Sequence, residues 1–413
     1  MRYPKAPAPR RSRVAEPENP FRVGGVVSGR HFTDRAAERR RIRRALTEPQ
    51  DHLLVFGPRR MGKSSTLRVV QDDLSAHGRH VVAADLSTAS SLTDLTNRVL
   101  QAAQASLGRV WRDVLTSLVQ GLSVKIGVTM DPGGVPFPSV DVSMREADLE
   151  TQRDTFGSAL DAIERLAASK RVHIGLILDE FQEIHRFGGE TAEAHLRGII
   201  QNHRHVSYVL AGSDERLIRA MIGPRRPLYK LLEPLAFGPI DPAHLARWVD
   251  DRLRAASVGA RGIGDVVVAL AGPRTRDVVQ LARATFEVSR RFGDATPDHV
   301  AEAFRQIVLS EDAPIRAQWS ELSPLQQNVL RAASVAATGL TTGAVRRQFG
   351  LGDTGPASKA AGTLVARSLL VKTGAGYVYD NPFVRGWVIA NTLADVGVVL
   401  PITHVPALPT QPR

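Results

Sequence analysis

Eight consecutive residues, Gly57-Pro58-Arg59-Arg60-Met61-Gly62-Lys63-Ser64, fit the pattern G-x-x-x-x-G-K-[ST]. The chemistry of that pattern is phosphate binding. Its glycines let backbone N–H groups curl around an anion with no Cβ in the way. A helix that starts at the end of the loop adds partial positive charge. Lys63 is expected to reach the terminal phosphates, and Ser64 to offer its hydroxyl to magnesium. Ser65 is grouped with the loop, although its position also suits packing of the helix that follows. A second motif, Leu178-Asp179-Glu180, ends an apolar run. Asp179 is placed to hold magnesium through water, and Glu180 to orient or deprotonate an attacking water. Adjacent carboxylates repel each other without a cation, which suits a metal–phosphate partner.

Other candidates follow along the chain. Ser213, after the apolar run Val206–Ala211, either faces the terminal phosphate or caps the helix that begins at Asp214. In Gly223-Pro224-Arg225-Arg226-Pro227 the prolines stiffen the backbone around Arg226. That residue is either a catalytic arginine at the rim of the site, in cis or in trans, or a surface arginine. Arg274 and Arg276 open a helix after Gly272-Pro273, and either could report on phosphate. His203 and His205 stand two apart at a helix-to-strand junction, where packing explains them better than metal ligation.

These residues need a sheet edge to bring them together. Apolar runs at His52–Phe56, His80–Asp85, Val172–Leu178, Val206–Ala211 and Leu235–Ile240 alternate with helical spacing at Gly62–Leu74, Leu92–Leu107, Thr155–Ser169 and Ala192–His203. That alternation predicts a parallel sheet, with ligands at the carboxyl ends of its strands. Leu122–Val128 and Ser139–Ser143, around Asp131-Pro132-Gly133-Gly134, predict a hairpin insertion at 122–146. Thr33-Asp34 predicts a cap for a helix over Arg35–Leu46 that carries Arg39, Arg40, Arg41, Arg43 and Arg44. After Asp241 the strands stop. Helical spacing runs through Pro242–Ala256, Ile263–Ala271, Thr275–Arg291 and Pro297–Leu309. Three further helices, Pro324–Val335, Thr342–Phe349 and Pro356–Ser368, precede a short hairpin over Leu370–Val378. This is the layout of a winged helix.

The chain has 413 residues and a net charge of +12. Residues 1–45 hold thirteen Lys/Arg against four Asp/Glu, so most of the excess lies there. Residues 321–391 hold seven Lys/Arg against three Asp/Glu. Such patches suit an anionic partner through phosphate neutralisation. The basic helix 35–46 and the third helix of the C-terminal unit, with Lys359 and Arg367 and with Arg346 on the helix before, are the candidate DNA contacts. Protein contacts or a structural cap are the alternatives. The absence of cysteine excludes a disulfide scaffold, a zinc ribbon and a thiol nucleophile. Apolar stretches such as Val396–Ile402 are too short and broken to span a bilayer, and the N-terminus opens on Pro and Arg, so a cytoplasmic protein without membrane contact is expected.

The phosphate loop, Leu178-Asp179-Glu180-Phe181-Gln182-Glu183-Ile184, Val206-Ser207-Tyr208-Val209-Leu210-Ala211-Gly212-Ser213 and Arg226-Pro227-Leu228-Tyr229-Lys230, in that order, resemble the archaeal-type ATPases. These stand in the STAND and AAA+ branches of P-loop NTPases. Asn19-Pro20-Phe21 through Arg35 resembles that family's N-terminal approach to the adenine, and Tyr377–Phe383 through Trp387 the end of its winged helix. The resemblance implies an α/β P-loop NTPase parallel sheet, a helical lid and a C-terminal winged helix, with ATP and Mg2+ bound between core and lid. The expected division is a disordered basic tail at 1–20, an ATPase core at 21–240, a lid at 241–315, a winged helix at 316–392 and a tail at 393–413. Many relatives have Gly-Arg where this chain has Lys230-Leu231, so Arg225 or Arg226 must substitute for an arginine at that place. The expected function is an ATP-driven, ATP-hydrolysing switch. An ATP-regulated DNA-binding regulator or loader, and a signalling scaffold that forms a homo-oligomer on ATP, are the alternatives.

Overall fold

The computed structural model describes residues 18–107, 125–130, 136–141, 149–336, 340, 342–374 and 376–405. The expected basic tail up to residue 17, the Asp131–Gly134 turn and the chain beyond 405 lie outside the described residues. The chain divides into two compact units. One is Gly24–Ile240 together with Arg274–Arg276; the other takes the described residues up to Val23, Asp241–Pro273, and Asp277 onward.

In the first unit the elements run α1 (Ala36–Thr47), β1 (Leu53–Phe56), α2 (Lys63–Ala76), β2 (His80–Asp85), α3 (Leu92–Leu107), β3 (Lys125–Met130), β4 (Pro136–Asp141), α4 (Leu149–Lys170), β5 (Ile174–Asp179), α5 (Gln182–Asn202), β6 (Val206–Gly212), α6 (Glu215–Met221) and β7 (Glu233–Ala236). The main sheet has the order β2-β5-β6-β1-β7, and every neighbouring pair is parallel. β3 and β4 pair antiparallel in a sheet of their own.

Side chains on a strand alternate between faces, and the core follows that period. Leu54, Phe56, Leu176, Leu178 and Leu210 pack in one cluster with residues of α3, α4 and α5. Leu53, Val55, Ile177, Val209 and Ala211 pack in another with residues of α1 and α2. Helices therefore cover both faces, which is why the central strands read as unbroken apolar runs. Register sets Phe56 level with Gly212, and Asp179 level with Ala211. The carboxyl ends of β1, β5 and β6 thus share one edge.

Several elements differ from expectation: β7 is Glu233–Ala236 rather than Leu235–Ile240, and α4 starts at Leu149 rather than Thr155. The N-cap residue of α1 is Arg35, in left-handed backbone, and it makes no side-chain cap bond. α5 is two helical segments broken at Gly189 (φ 60, ψ −156): the segment after the break holds the expected helix from Ala192, and the one from Gln182 to Gly188 is additional.

The opposite end of the sheet carries a histidine cluster. His52 Nδ1 accepts from Tyr208 N at 3.2 Å, and His203 joins the Tyr208 hydroxyl (2.8 Å) to Asp161 (2.9 Å). Burial pushes the His52 pKa down to about 4, and lowers that of His173 as well. A histidine depressed on folding contributes stability that is complete above its unfolded pKa and is lost as pH falls toward the folded one. Stability is therefore expected to fall between roughly pH 6.5 and 4, with His52 contributing at most about 3 kcal/mol before solvent screening. Denaturant unfolding across that range should show a flatter acid limb in His52→Asn; an unchanged limb would refute the assignment.

The second unit continues with α7 (Pro242–Ala255), α8 (Ile263–Ala271), α9 (Thr275–Ser289), α10 (Pro297–Ser310), α11 (Asp312–Ser320), α12 (Pro324–Val335), α13 (Gly343–Gln348), α14 (Thr354–Ala366), β8 (Leu370–Thr373), β9 (Gly376–Tyr379) and α15 (Pro382–Thr392). α12, α13, α14 and the antiparallel β8–β9 pair follow the three-helix-and-hairpin order. α11 and α15 had not been anticipated. α15 lies against α10, where Gly386 leaves room for the Phe304 ring, and Phe304 meets Phe383 at 5.3 Å. The start of the described chain belongs to this unit rather than to the sheet unit: Phe21 is buried and packs edge-on against Trp248. Among the described residues no helix is long and apolar enough to cross a membrane.

Candidate nucleotide site

The loop after β1 begins at Gly57, whose φ of +156 and close neighbour leave no space for a side chain. A Cβ there would collide with the Phe237 carbonyl. Gly62, at φ +92, turns the chain into α2. The first amides of α2 have no partner within the helix and point out of its N-terminus. This cradle fits a phosphate group.

Lys63 is 5 % exposed, and its ammonium donates to the carbonyls of Gly57 (2.7 Å) and Pro58 (2.8 Å). Burial lowers its pKa, against the opposing pull of Glu180 and Asp179. Ser64 Oγ donates to Asp179 Oδ2 at 2.6 Å and ties α2 to the end of β5. Burial raises the Asp179 pKa, and the neighbouring Glu180 and Asp85 raise it further, while the Ser64 hydrogen bond opposes them. A divalent cation would relieve that crowding of negative charge. Ser64 and Asp179 are thus a fitting pair for magnesium.

Glu180 sits in left-handed backbone at φ 56, directly after β5. Its Oε2 accepts from Ser213 Oγ at 2.9 Å and from Gln182 Nε2, and Arg59 Nε donates to Ser213 Oγ at 3.3 Å. Ser213 is therefore committed to Glu180. The cap of α6 is Asp214, which accepts from Leu217 N. Sequence reasoning missed Gln182, because only the structure shows that this amide two places after a strand-end carboxylate is buried against it.

Two expected residues are engaged elsewhere. Arg226 donates to Glu193 Oε1 at 2.6 Å and pairs with Glu190 at 3.2 Å, and His185 also meets Glu193 at 2.6 Å. Glu193 is fully buried, so its charge needs this partner. Arg226 is thereby neutralised within its own unit rather than offered to a phosphate, and Arg225, which is exposed, remains from that stretch. Ser65 Oγ accepts from Val27 N at 3.2 Å and so holds the N-terminal segment. Arg274 and Arg276 group with the sheet unit, and Arg276 N donates to the loop carbonyl of Arg60 at 3.3 Å. Arg274 is half-buried.

The expected basic surface is largely internally paired. Arg41 binds Asp51 bidentately (2.6 and 3.0 Å) and Glu233 (2.6 Å). Arg43 pairs with Asp73, and Arg44 with Glu48 at 2.9 Å. In the second unit Arg346 donates to Gly352 O at 2.7 Å, and Arg367 meets Glu321 at 3.0 Å, while Lys359 is exposed.

Residues 46–220 match a family model described as an AAA domain. No curated protein matches the sequence. Among solved structures, the Walker-type ATPase paby2304 of Pyrococcus abyssi is similar at 16% identity and a TM-score of 0.55, over 87% of this chain and 96% of that one. The Aeropyrum pernix ORC2 protein, solved as ADPNP-ADP complexes, is similar at 13% identity and a TM-score of 0.50, over 89% and 96%. At such identities the likeness establishes the fold. The sheet unit of this chain has the α/β P-loop NTPase fold, and its residues 46–220 are similar to AAA domains.

Proposed function

We propose that the chain binds Mg-ATP at the loop 57–64 and hydrolyses it, and that the phosphate state is passed to the helical unit as a switch. The observation that carries this reading is the convergence of Lys63, Ser64, Asp179, Glu180 and Ser213 at the carboxyl edge of β1, β5 and β6. The nucleotide complexes of the Aeropyrum pernix ORC2 protein support it. Lys63 would hold the terminal phosphates. Ser64 and Asp179 would hold magnesium, which supplies charge neutralisation at the phosphates when bound. Glu180 would accept a proton from water, and Ser213 would hold the carboxylate in place. The expected role of Arg226 in hydrolysis is replaced by Arg225, acting from a neighbouring copy if the chain forms a homo-oligomer. Arg274–Arg276 are the stretch through which the loop would address α9, because they group with the sheet unit yet begin that helix. The winged-helix reading of α12–β9, the STAND branch and a cytoplasmic site belong to this proposal.

DNA is the second reading. The exposed Lys359 on α14 favours it, whereas the internal pairing of Arg346, Arg367 and the helix 35–46 weakens it. ATP turnover measured with and without duplex DNA separates the two. Turnover that rises with DNA and falls back as salt increases would establish the DNA-coupled form. Turnover indifferent to DNA would leave the switch acting on a protein. Absence of both ATP binding and turnover would sink the proposal.

A further inference from the structure

Among the described arginines of the N-terminal segment, Arg35 differs from the rest. It is 4 % exposed and has left-handed backbone (φ 66), after Asp34 at φ 59. Non-glycine residues persist in that region only where their surroundings over-determine them. The surroundings here are explicit. One terminal nitrogen donates to Met61 O at 2.9 Å and to Gly238 O at 2.7 Å, and the other to Glu38 Oε1 at 2.8 Å. The guanidinium also lies 4.7 Å from the Phe237 ring centroid. Met61 immediately precedes Gly62 and Lys63. Phe237 N donates to Phe56 O at 2.7 Å, and the Phe237 carbonyl is the atom that excludes a side chain at Gly57. Arg35 therefore grips the second half of the loop at Met61 and the segment that abuts its first half at Phe237–Gly238.

We propose that Arg35 is a positioning residue for the phosphate loop: it fixes the Met61 carbonyl against the exit of β7 and so aims the Gly62–Ser64 amides without touching nucleotide. The ligand side of this inference rests on the nucleotide reading above. Lysine cannot replace the group, because a single ammonium has no planar fork for two carbonyls and a carboxylate while it lies on a ring.

The test compares wild type, Arg35→Lys and Glu38→Gln in the full chain. Backbone hydrogen exchange over residues 57–66 is read without nucleotide, and Mg-ATP affinity is read by calorimetry. Arg35→Lys is expected to speed loop exchange about 10-fold while β2 and α4 stay protected, and to weaken Mg-ATP about 10-fold. Glu38→Gln should shift both in the same direction by less. Loop exchange equal to wild type, or exchange raised equally in β2 and α4, would overturn the proposal. If Arg35→Lys does not fold, unchanged loop exchange in Glu38→Gln overturns it. A wild type that binds no Mg-ATP would defeat the nucleotide reading, while loop exchange would still decide the role of Arg35.

Discussion

Glu180→Gln is expected to bind Mg-ATP as wild type does and to turn it over about 10² to 10⁴ times more slowly. The substitution keeps shape and most of the hydrogen bonding. An amide oxygen can still accept from Ser213 Oγ, which lies 2.9 Å from Oε2, and from the Gln182 side chain. The left-handed backbone at φ 56 is held by elements that the change does not touch, since Glu180 N donates to Asp179 Oδ1 at 3.0 Å and Phe181 N to Ala211 O at 2.9 Å. What is lost is the ability to take a proton. The effect must therefore appear in kcat and not in affinity. Wild-type turnover by Glu180→Gln would remove this residue from the chemistry and leave Asp179, level with it at the sheet edge, as the remaining carboxylate.

The sheet was legible because burial on both faces leaves one signal, an unbroken apolar run. His80–Asp85 was read with the limits it has in the structure, and β6 within one residue. Helix limits failed where a local rule had two solutions. The helical segment from Gln182 to the break at Gly189 was not expected, yet Ile184 before the break and Leu196 after it pack in the same core. α15 was missed although its signals are present: Asn381 caps it through Phe383 N, and Pro382 is its first residue.

The site separated into a legible and an illegible part for a different reason. Lys63, Ser64, Asp179 and Glu180 lie in runs whose backbone path is fixed by the adjoining strand ends, so sequence position implies spatial position. Arginine partners carry no such information. Arg35 and Arg40 look alike in a basic helix, yet one is buried under the phosphate loop and the other is exposed. Arg226 looked like a rim residue, and its engagement depends on Glu193, which faces inward from α5 and which no local pattern marks as fully buried. Ser213 and Asp214 are both cap residues by type. The structure divides the work: Asp214 takes the helix, and Ser213, the residue that follows β6, takes the carboxylate.

Lys63→Ala is expected to weaken Mg-ATP by at least about 100-fold, ~3 kcal/mol, in a chain that still folds. Both parts of that expectation follow from the same contacts. The ammonium donates to the Gly57 and Pro58 carbonyls at 2.7 and 2.8 Å, so in the free chain it is satisfied by the loop it serves. Burial lowers its pKa, and the attraction of Glu180 and Asp179 works against that shift. A phosphate arriving in the cradle would offer it a full negative charge in place of two neutral oxygens, and charge-assisted bonds of that kind are the strong ones. Truncation removes this gain. It removes one donor shared by two carbonyls and leaves the strands and helices around the loop untouched, which is why folding should survive. Lys63→Arg would not restore affinity, since a planar guanidinium does not reproduce the compact ammonium that donates to both carbonyls. Calorimetric titration beside thermal melting of each variant decides the matter. Tight Mg-ATP binding by a folded Lys63→Ala would place the nucleotide somewhere other than this loop and remove the basis of the proposed function.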